Sequence, residues 1–436
     1  MTTAGRPADV SFARALQWWL RLGFISFGGP AGQIAIMHAE LVDKRRWLSE
    51  SRFLHALNYC MVLPGPEAQQ LATYIGWLMH GARGGIAAGV LFVLPSLLIL
   101  IALSWAYLAL GHLPAIAGAL YGIKPAVTAI VLHAAWRIGK RAVNNALLGA
   151  IAAVAFAAIA LGAPFPLVIL GAGLAGLLAA RLAPGLAPAP RHATRDTGGP
   201  ALIDDTAHPP HTQYSRPRFI RHVAVGLSLW ALAFGALAWS FGGQHLLAQM
   251  AWFFTTAALL TFGGAYAVLP YVVQAAVLDH GWLTTGQMID GLALGETTPG
   301  PLIMIVAFVG FVGGWQLAPF GPDQLFLAGV AAAIVATFFT FLPSFLFILL
   351  GGPLVEATHG DLRFTAPLSA ITAAVVGVIL NLALFFAAHV LWPGGAFEWP
   401  AALIGLAAAV ALFRYDAGIV RTIVACALAG LLYTLA

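Results

Sequence analysis

Apolar stretches long enough to cross a bilayer run through this chain from end to end. Residues 85–110 and 366–389 each exceed the roughly 20 helical residues that a hydrocarbon core requires. Only 8% of the 436 residues are charged and 61% are hydrophobic, against about a quarter charged in ordinary soluble domains. The runs are continuous and lack the alternation of a membrane β-barrel, so their backbone polar groups must be satisfied within helices. The fold class is therefore an all-α polytopic membrane protein, with the lipid bilayer as its first partner.

Other apolar segments are interrupted where a spanning helix would be continuous. The breaks are Ser26-Phe27-Gly28-Gly29-Pro30 and Pro64-Gly65-Pro66, and they recur as Thr261-Phe262-Gly263-Gly264 and Pro299-Gly300-Pro301. Gly28 and Gly263, Gly29 and Gly264, Trp47 and Trp282, and the two Pro-Gly-Pro runs are all 235 residues apart. A second offset, 248, pairs Leu94-Pro95-Ser96 with Leu342-Pro343-Ser344 and Ala126-Val127 with Ala374-Val375. The chain reads as two copies of one unit, with the extra residues of the second copy expected in the loop 313–324. Broken backbone is tolerated at membrane depth only inside protein or beside a wet cavity, so the breaks are expected to face inward.

Charge places the units relative to the bilayer. Arg14 and Arg21 precede the first broken segment and Lys44, Arg45, Arg46 and Arg52 follow it. Both clusters stay in the cytoplasm only if the segment dips in and returns. The same holds for residues 49–80, which precede Arg83. Residues 184–218 contain seven prolines and read as a loosely packed cytoplasmic linker; its histidines, His192, His208 and His211, lack regular metal-ligand spacing. Residues 219–242 form one extra span with no counterpart in the first unit, which inverts everything after it. No lysine or arginine lies between Arg221 and Arg363, so the loop at Trp282 is bare where its counterpart at Trp47 is basic. The domains expected are a first repeat (1–183), the linker, the inverting helix and a second, inverted repeat (243–436). The N-terminus is expected in the cytoplasm and the C-terminus outside.

The net charge of +5 comes from short loops at segment ends and does not point to nucleic acid. Cys60 and Cys426 lie in apolar segments and read as small hydrophobes. No catalytic pair, metal-ligand cluster or nucleotide loop is visible, so no enzyme, metal or cofactor is expected. Residues 1–15 carry no apolar signal-peptide core.

Phe27-Gly28-Gly29-Pro30, the run Pro64-Gly65-Pro66-Glu67-Ala68-Gln69-Gln70, Leu94-Pro95-Ser96 and the run Gly295-Glu296-Thr297-Thr298-Pro299-Gly300-Pro301 resemble the chromate ion transporter (CHR) superfamily in its long, two-domain form. The resemblance covers nearly the whole chain outside the linker. It implies export of chromate across a bacterial inner membrane, conferring resistance and driven by the proton gradient or membrane potential, with the two domains in opposed orientation. Sulfate has the same shape and charge, so a carrier of sulfate or another oxyanion, and an uncoupled anion channel, are the alternatives. A second copy of the chain is a candidate partner.

An oxyanion within the bilayer needs positive potential and hydrogen-bond donors. Half-helices that start after a break offer free amides and a favourable dipole. The candidate substrate residues are accordingly Gly28, Gly29, Gly65, Gly263, Gly264 and Gly300, with Gln33, Gln69, Gln70, Thr297 and Thr298 as neutral donors. Lys124, a cation well inside a predicted span, has only Thr372 as its repeat counterpart. It is the candidate anion ligand, unless it pairs with an intramembrane acid. Glu67 and Glu296 flank the breaks and are the candidate proton carriers. Asp290, the counterpart of His55, lies on an arm leading to a break. Trp47, Trp77, Trp252, Trp282 and Trp392 read as interface anchors, and Arg137, Lys140 and Arg141 as topology determinants.

Overall fold

A computed structural model describes residues 10–27, 29–182, 201–204, 210–357 and 365–436. The first half contains α1 (Phe12–Ile25), α2 (Gly29–His38), α3 (Glu50–Val62), α4 (Glu67–Leu110), α5 (Pro114–Ala142), α6 (Ala146–Ala160) and α7 (Phe165–Leu182). After α8 (Arg216–Phe241) come α9 (Leu246–Leu259), α10 (Ala265–Val273), α11 (Thr285–Thr297), α12 (Ile305–Leu317), α13 (Leu325–Ala357), α14 (Thr365–Leu391), α15 (Trp399–Arg414) and α16 (Ile419–Leu435). Among the described residues α4, α5, α7, α8, α13 and α14 are long and apolar enough to cross a membrane. The chain is an all-α polytopic membrane protein.

The sequence offset reappears as element register. Helix α3 starts at residue 50 and α11 at 285; the π-helical turns after α2 and α10 start at 39 and 274. Each pair is 235 apart. The local causes repeat too. Ser49 caps α3 by accepting from the Arg52 amide, and Thr284 caps α11 by accepting from the Gln287 amide. Such caps satisfy amides that the first helical turn leaves without a partner.

Helix α4 is itself folded in two. At His80 and Gly81 the backbone leaves the helix, with Gly81 at φ +65°, a conformation glycine adopts without penalty. The short arm then lies back along the long arm, with Gly76 against Gly84 and Ala88, and Thr73 against Gly85 and Gly89. Small residues permit this close approach of backbones.

Helix α13 shows which way the first hairpin runs. Gly65, at the break, faces Ser344 in mid-helix. From there Tyr59 of α3 reaches the Phe347 carbonyl (2.8 Å), and Arg52 of α3 and Tyr74 of α4 both reach Glu356. Both arms therefore lie beside the same half of α13, and α3 with the short arm of α4 is a hairpin with its tip at Gly65. The second hairpin, α11 with α12, has its tip at Gly300 beside Ser96. Asp290 of α11 and Phe308 of α12 both meet Tyr107 near the end of α4. Its second arm is apolar on every face, and residues 305–314 are all buried, as a helix enclosed by protein must be.

The remaining helices cross between the units. Gly118 of α5 faces Thr434 of α16, and Gly122 faces Cys426 and Gly430. Ile130 shares a cluster with Ile423 and Ile419, so α5 and α16 run antiparallel. Gly176, near the end of α7, faces Ala366 and Ala370 at the start of α14. Helix α8 stands apart. Gly226 is its one buried residue and Trp239 is 93% exposed, a surface suited to lipid rather than water.

Three expectations are revised. Trp47, Trp77 and Trp282 are buried in the core, and only Trp252 and Trp392 are exposed like interface anchors. Residues 313–317 belong to the last turn of α12, which confines the loop to residues 318–324. Part of the linker is packed: Ile203 bridges to Leu48, receives the Ser49 amide and is buried, and His211 bonds the Trp77 carbonyl. His192 and His208 lie outside the described residues.

Candidate functional site

The tips of the two hairpins meet the first breaks of the opposite units. The Gly65 amide donates to the Thr261 carbonyl at 2.7 Å, and the Gly300 amide donates to the Ser26 carbonyl at 2.8 Å. Gly65 corresponds to Gly300 and Ser26 to Thr261, so one bond is the repeat image of the other. Such reciprocity marks a two-fold relation between units. Gly65 has φ +128° and Gly300 φ +109°, so a side chain at either would strain the backbone.

Two glutamines brace this crossing. Gln33 Nε2 donates to the Gly300 carbonyl at 2.5 Å and to the Ser26 carbonyl at 3.4 Å, and Gln70 Nε2 donates to the Pro64 carbonyl at 2.8 Å. Both are fully buried, and their amide oxygens have no partner. Leaving such atoms unpaired costs about 1–3 kcal/mol each. Ser96 and Ser344, whose hydroxyls are also buried and unpaired, lie against Gly300 and Gly65. Sequence reasoning named these serines as repeat markers and not as site residues; their signal was a hydroxyl following a proline in the middle of an apolar span.

Glu67 is the first residue of α4 and is half-buried. Its carboxylate faces Gly264, where a Cβ would stand 3.4 Å from Oε1. Gly264 caps α10 with φ +91°, so the carboxylate sits between the N-termini of two helices. That is the position an anion would take.

The other predicted residues lie apart. Gly263 faces Thr372, and Gly29 starts α2 with φ +69° and open space beside it. Gln69 donates to Thr73 within α4. The Thr297 and Thr298 hydroxyls donate back to carbonyls of their own helix, at Ala293 and Gly295. Glu296 is buried and accepts from Tyr266. Gly28 lies outside the described residues.

Lys124 reaches α11 instead of a break. Its Nζ lies 3.7 Å from Asp290 Oδ2, which also accepts from Tyr107 at 3.0 Å. A second buried, acid-paired cation escaped sequence reasoning. Arg52, counted among the basic topology residues, is buried and ion-paired at 2.5 Å with Glu356. The lone acid at the end of an apolar span was the available clue. A separate cavity of about 470 Å³ between the α6–α7 turn, α10 and α14 is mostly apolar, with Gln274 and Asn381 on its wall, and offers no charge for an anion.

Comparison with known proteins fits this picture. A family model described as Chromate transporter matches residues 14–177 and 248–431. The chain is 34% identical to the chromate transport protein of Pseudomonas aeruginosa over 380 residues, 87% of this chain and 82% of the relative. It is 30% identical over 406 residues to the probable chromate transport protein of Synechococcus elongatus, covering 93% and 90%. To the chromate transport protein of Cupriavidus metallidurans it is 29% identical over 401 residues, covering 92% and 87%. No solved structure matches. The two matched stretches coincide with the two sets of breaks that meet at Gly65 and Gly300, and the chain belongs to the chromate transporter family.

Proposed function

We propose that the protein exports chromate across the cytoplasmic membrane by alternating access, with the crossed hairpin tips as its substrate site. The observation that carries this is the reciprocal pair of hydrogen bonds, Gly65 to Thr261 and Gly300 to Ser26. Each bond joins broken backbone of one unit to broken backbone of the other, the kind of repeat interface at which transporters built from repeats hold their substrates.

Several contacts support opposed orientation of the units. Helices α5 and α16 run antiparallel, whereas repeats of the same orientation would set them parallel. The first hairpin lies beside the end of α13 and the second beside the far end of α4. Gly89 of α4 faces Phe345 while Trp77, folded back beside Gly85, faces Gly352, so α4 and α13 are antiparallel. The hairpins then dip from opposite faces, with the N-terminus in the cytoplasm and the C-terminus outside.

Coupling falls to Glu67. Its carboxylate occupies the place between two helix N-termini that an oxyanion would take, so a proton on Glu67 and a bound anion are mutually compatible, whereas two negative charges there repel. Lys124 exchanges Asp290 for the anion on its way in or out. The chain's role is transport, and none of these groups is assigned to catalysis.

Chromate uptake into inverted membrane vesicles, with and without a proton gradient, tests the proposal. Uptake above empty vesicles, raised by the proton gradient, is expected; none would sink it, and uptake driven by the membrane potential but indifferent to the proton gradient, without saturation, would indicate a channel. Sulfate competition in the same assay measures selectivity. Single cysteines in residues 43–52 and 279–284 should label from opposite sides of the membrane, and labelling from one side would contradict the inversion.

A further inference from the structure

Ser96 and Ser344 are the middle residues of two long helices, and every element packed around them leaves their hydroxyls unpaired. Both are buried, Ser96 at 0% and Ser344 at 1% exposure, and neither Oγ has a hydrogen-bond partner. Serines in apolar helices ordinarily return their hydroxyl hydrogen to the carbonyl four residues back. Ser26 and Ser104 do so here, to Leu22 and Leu100, each at 2.6 Å. Ser96 and Ser344 point across the boundary between the units instead.

Each hydroxyl meets the hairpin tip of the other unit. A Cβ placed on Gly300 would stand 2.9 Å from Ser96 Oγ, and one on Gly65 would stand 2.5 Å from Ser344 Oγ. The two contacts are repeat images of one another, as are Pro95 and Pro343 immediately before the serines. An unpaired buried hydroxyl costs about 1–3 kcal/mol, and this chain carries the cost twice at symmetric positions.

The chemistry of the unpaired atoms narrows what they bind. The amide oxygens of Gln33 and Gln70 only accept, and their nitrogens already hold break carbonyls. Gln33 Nε2 donates both of its hydrogens to carbonyls and Gln70 Nε2 donates one of its two, so the serine hydroxyls are donors with their single hydrogen still free, and each can rotate to aim it. We propose, resting on the transport reading above, that Ser96 and Ser344 are substrate-contacting residues. One hydroxyl from each unit donates to an oxygen of a tetrahedral oxyanion held between the hairpin tips. The present contacts leave no room for even a methyl group at Gly65 or Gly300, so the anion reaches the pair when the tips part.

Chromate uptake by the full-length protein in inverted vesicles tests this, with wild type, Ser96→Ala, Ser344→Ala and the double variant compared for KM and maximal rate. Thermal unfolding of each purified protein in detergent is followed alongside. Each single variant is expected to raise KM about tenfold and the double variant about a hundredfold, the scale of one lost hydrogen bond to a charged partner per serine. Maximal rate should change less than KM. Unfolding temperature should hold or rise, because deleting an unpaired buried hydroxyl removes a cost. Alanine variants with wild-type KM, beside an active wild type, would overturn the serine assignment alone. So would lost transport matched by lost thermal stability. A wild type that moves no chromate would overturn the transport reading and this assignment together.

Discussion

The first hairpin is fastened to the opposite unit through a guanidinium, and the second through a carboxylate. Arg52 meets Glu356 at 2.5 Å with both side chains under 5% exposed, and Tyr74 donates to the other carboxylate oxygen. At the second hairpin Asp290 is equally buried, but Lys124 stands 3.7 Å away with its side chain 36% exposed. Asp290 Oδ1 has no partner. A tight, fully buried pair behaves as a fastener, since separating it strands a charge in low dielectric. A long pair with a half-exposed cation and a spare oxygen is suited to exchanging partners. Two hairpins of one ancestry thus differ in how tightly their buried charge is held.

The largest expected effect tests the fastener. Glu356→Ala removes the partner of both Arg52 and Tyr74 and should destabilise the protein by about 3–5 kcal/mol, read as thermal unfolding in detergent. An unshifted transition would mean that the first hairpin is held by packing alone. Next come Gly65→Ala and Gly300→Ala, with φ +128° and +109° and an expected cost of order 1–3 kcal/mol from backbone strain. Both should also abolish transport, and to similar degrees. Strongly unequal losses would break the reciprocity of the two tips.

Lys124→Ala leaves the buried Asp290 with Tyr107 as its hydrogen-bond donor and should destabilise the protein less than Glu356→Ala, yet lower chromate uptake at least tenfold, the scale of one interaction with a charged partner. Normal uptake would remove Lys124 from the pathway and make the two fasteners alike. Glu67→Gln should leave uptake under a membrane potential while abolishing its response to a pH gradient; a retained response would move coupling elsewhere. The smallest effect belongs to Tyr59→Phe, which deletes the hydrogen bond to Phe347 and should cost about 1 kcal/mol. A larger loss would show that this contact also sets the hairpin angle.

Much of the frame was legible because backbone punctuation is local. Glycine and proline break helices wherever they stand, so the breaks at Gly65 and Gly300 were visible in the chain, as was the register of α3 and α11. The tryptophans were misjudged because an interface anchor and a core residue look alike in their own stretch. Trp282 packs edge-on to Phe253, 29 positions earlier in the chain, and no local rule reveals that contact. Arg52 was hidden among other basic residues for the same reason. The Thr297 and Thr298 hydroxyls are spent on carbonyls of α11, a use that residue type and position alone do not reveal.

The sequence by itself determined an all-helical membrane chain, duplicated, with four interruptions at fixed offsets, because hydropathy, helix-breaking and loop charge act over a few residues at a time. Only the tertiary structure decided that the tips of the hairpins broken at Gly65 and Gly300 cross into the opposite unit, and which buried charges and hydroxyls meet there. Those outcomes depend on which helix becomes a neighbour. Burial then turns one contact between distant residues, Arg52 with Glu356 or Ser344 with Gly65, into a force large enough to matter.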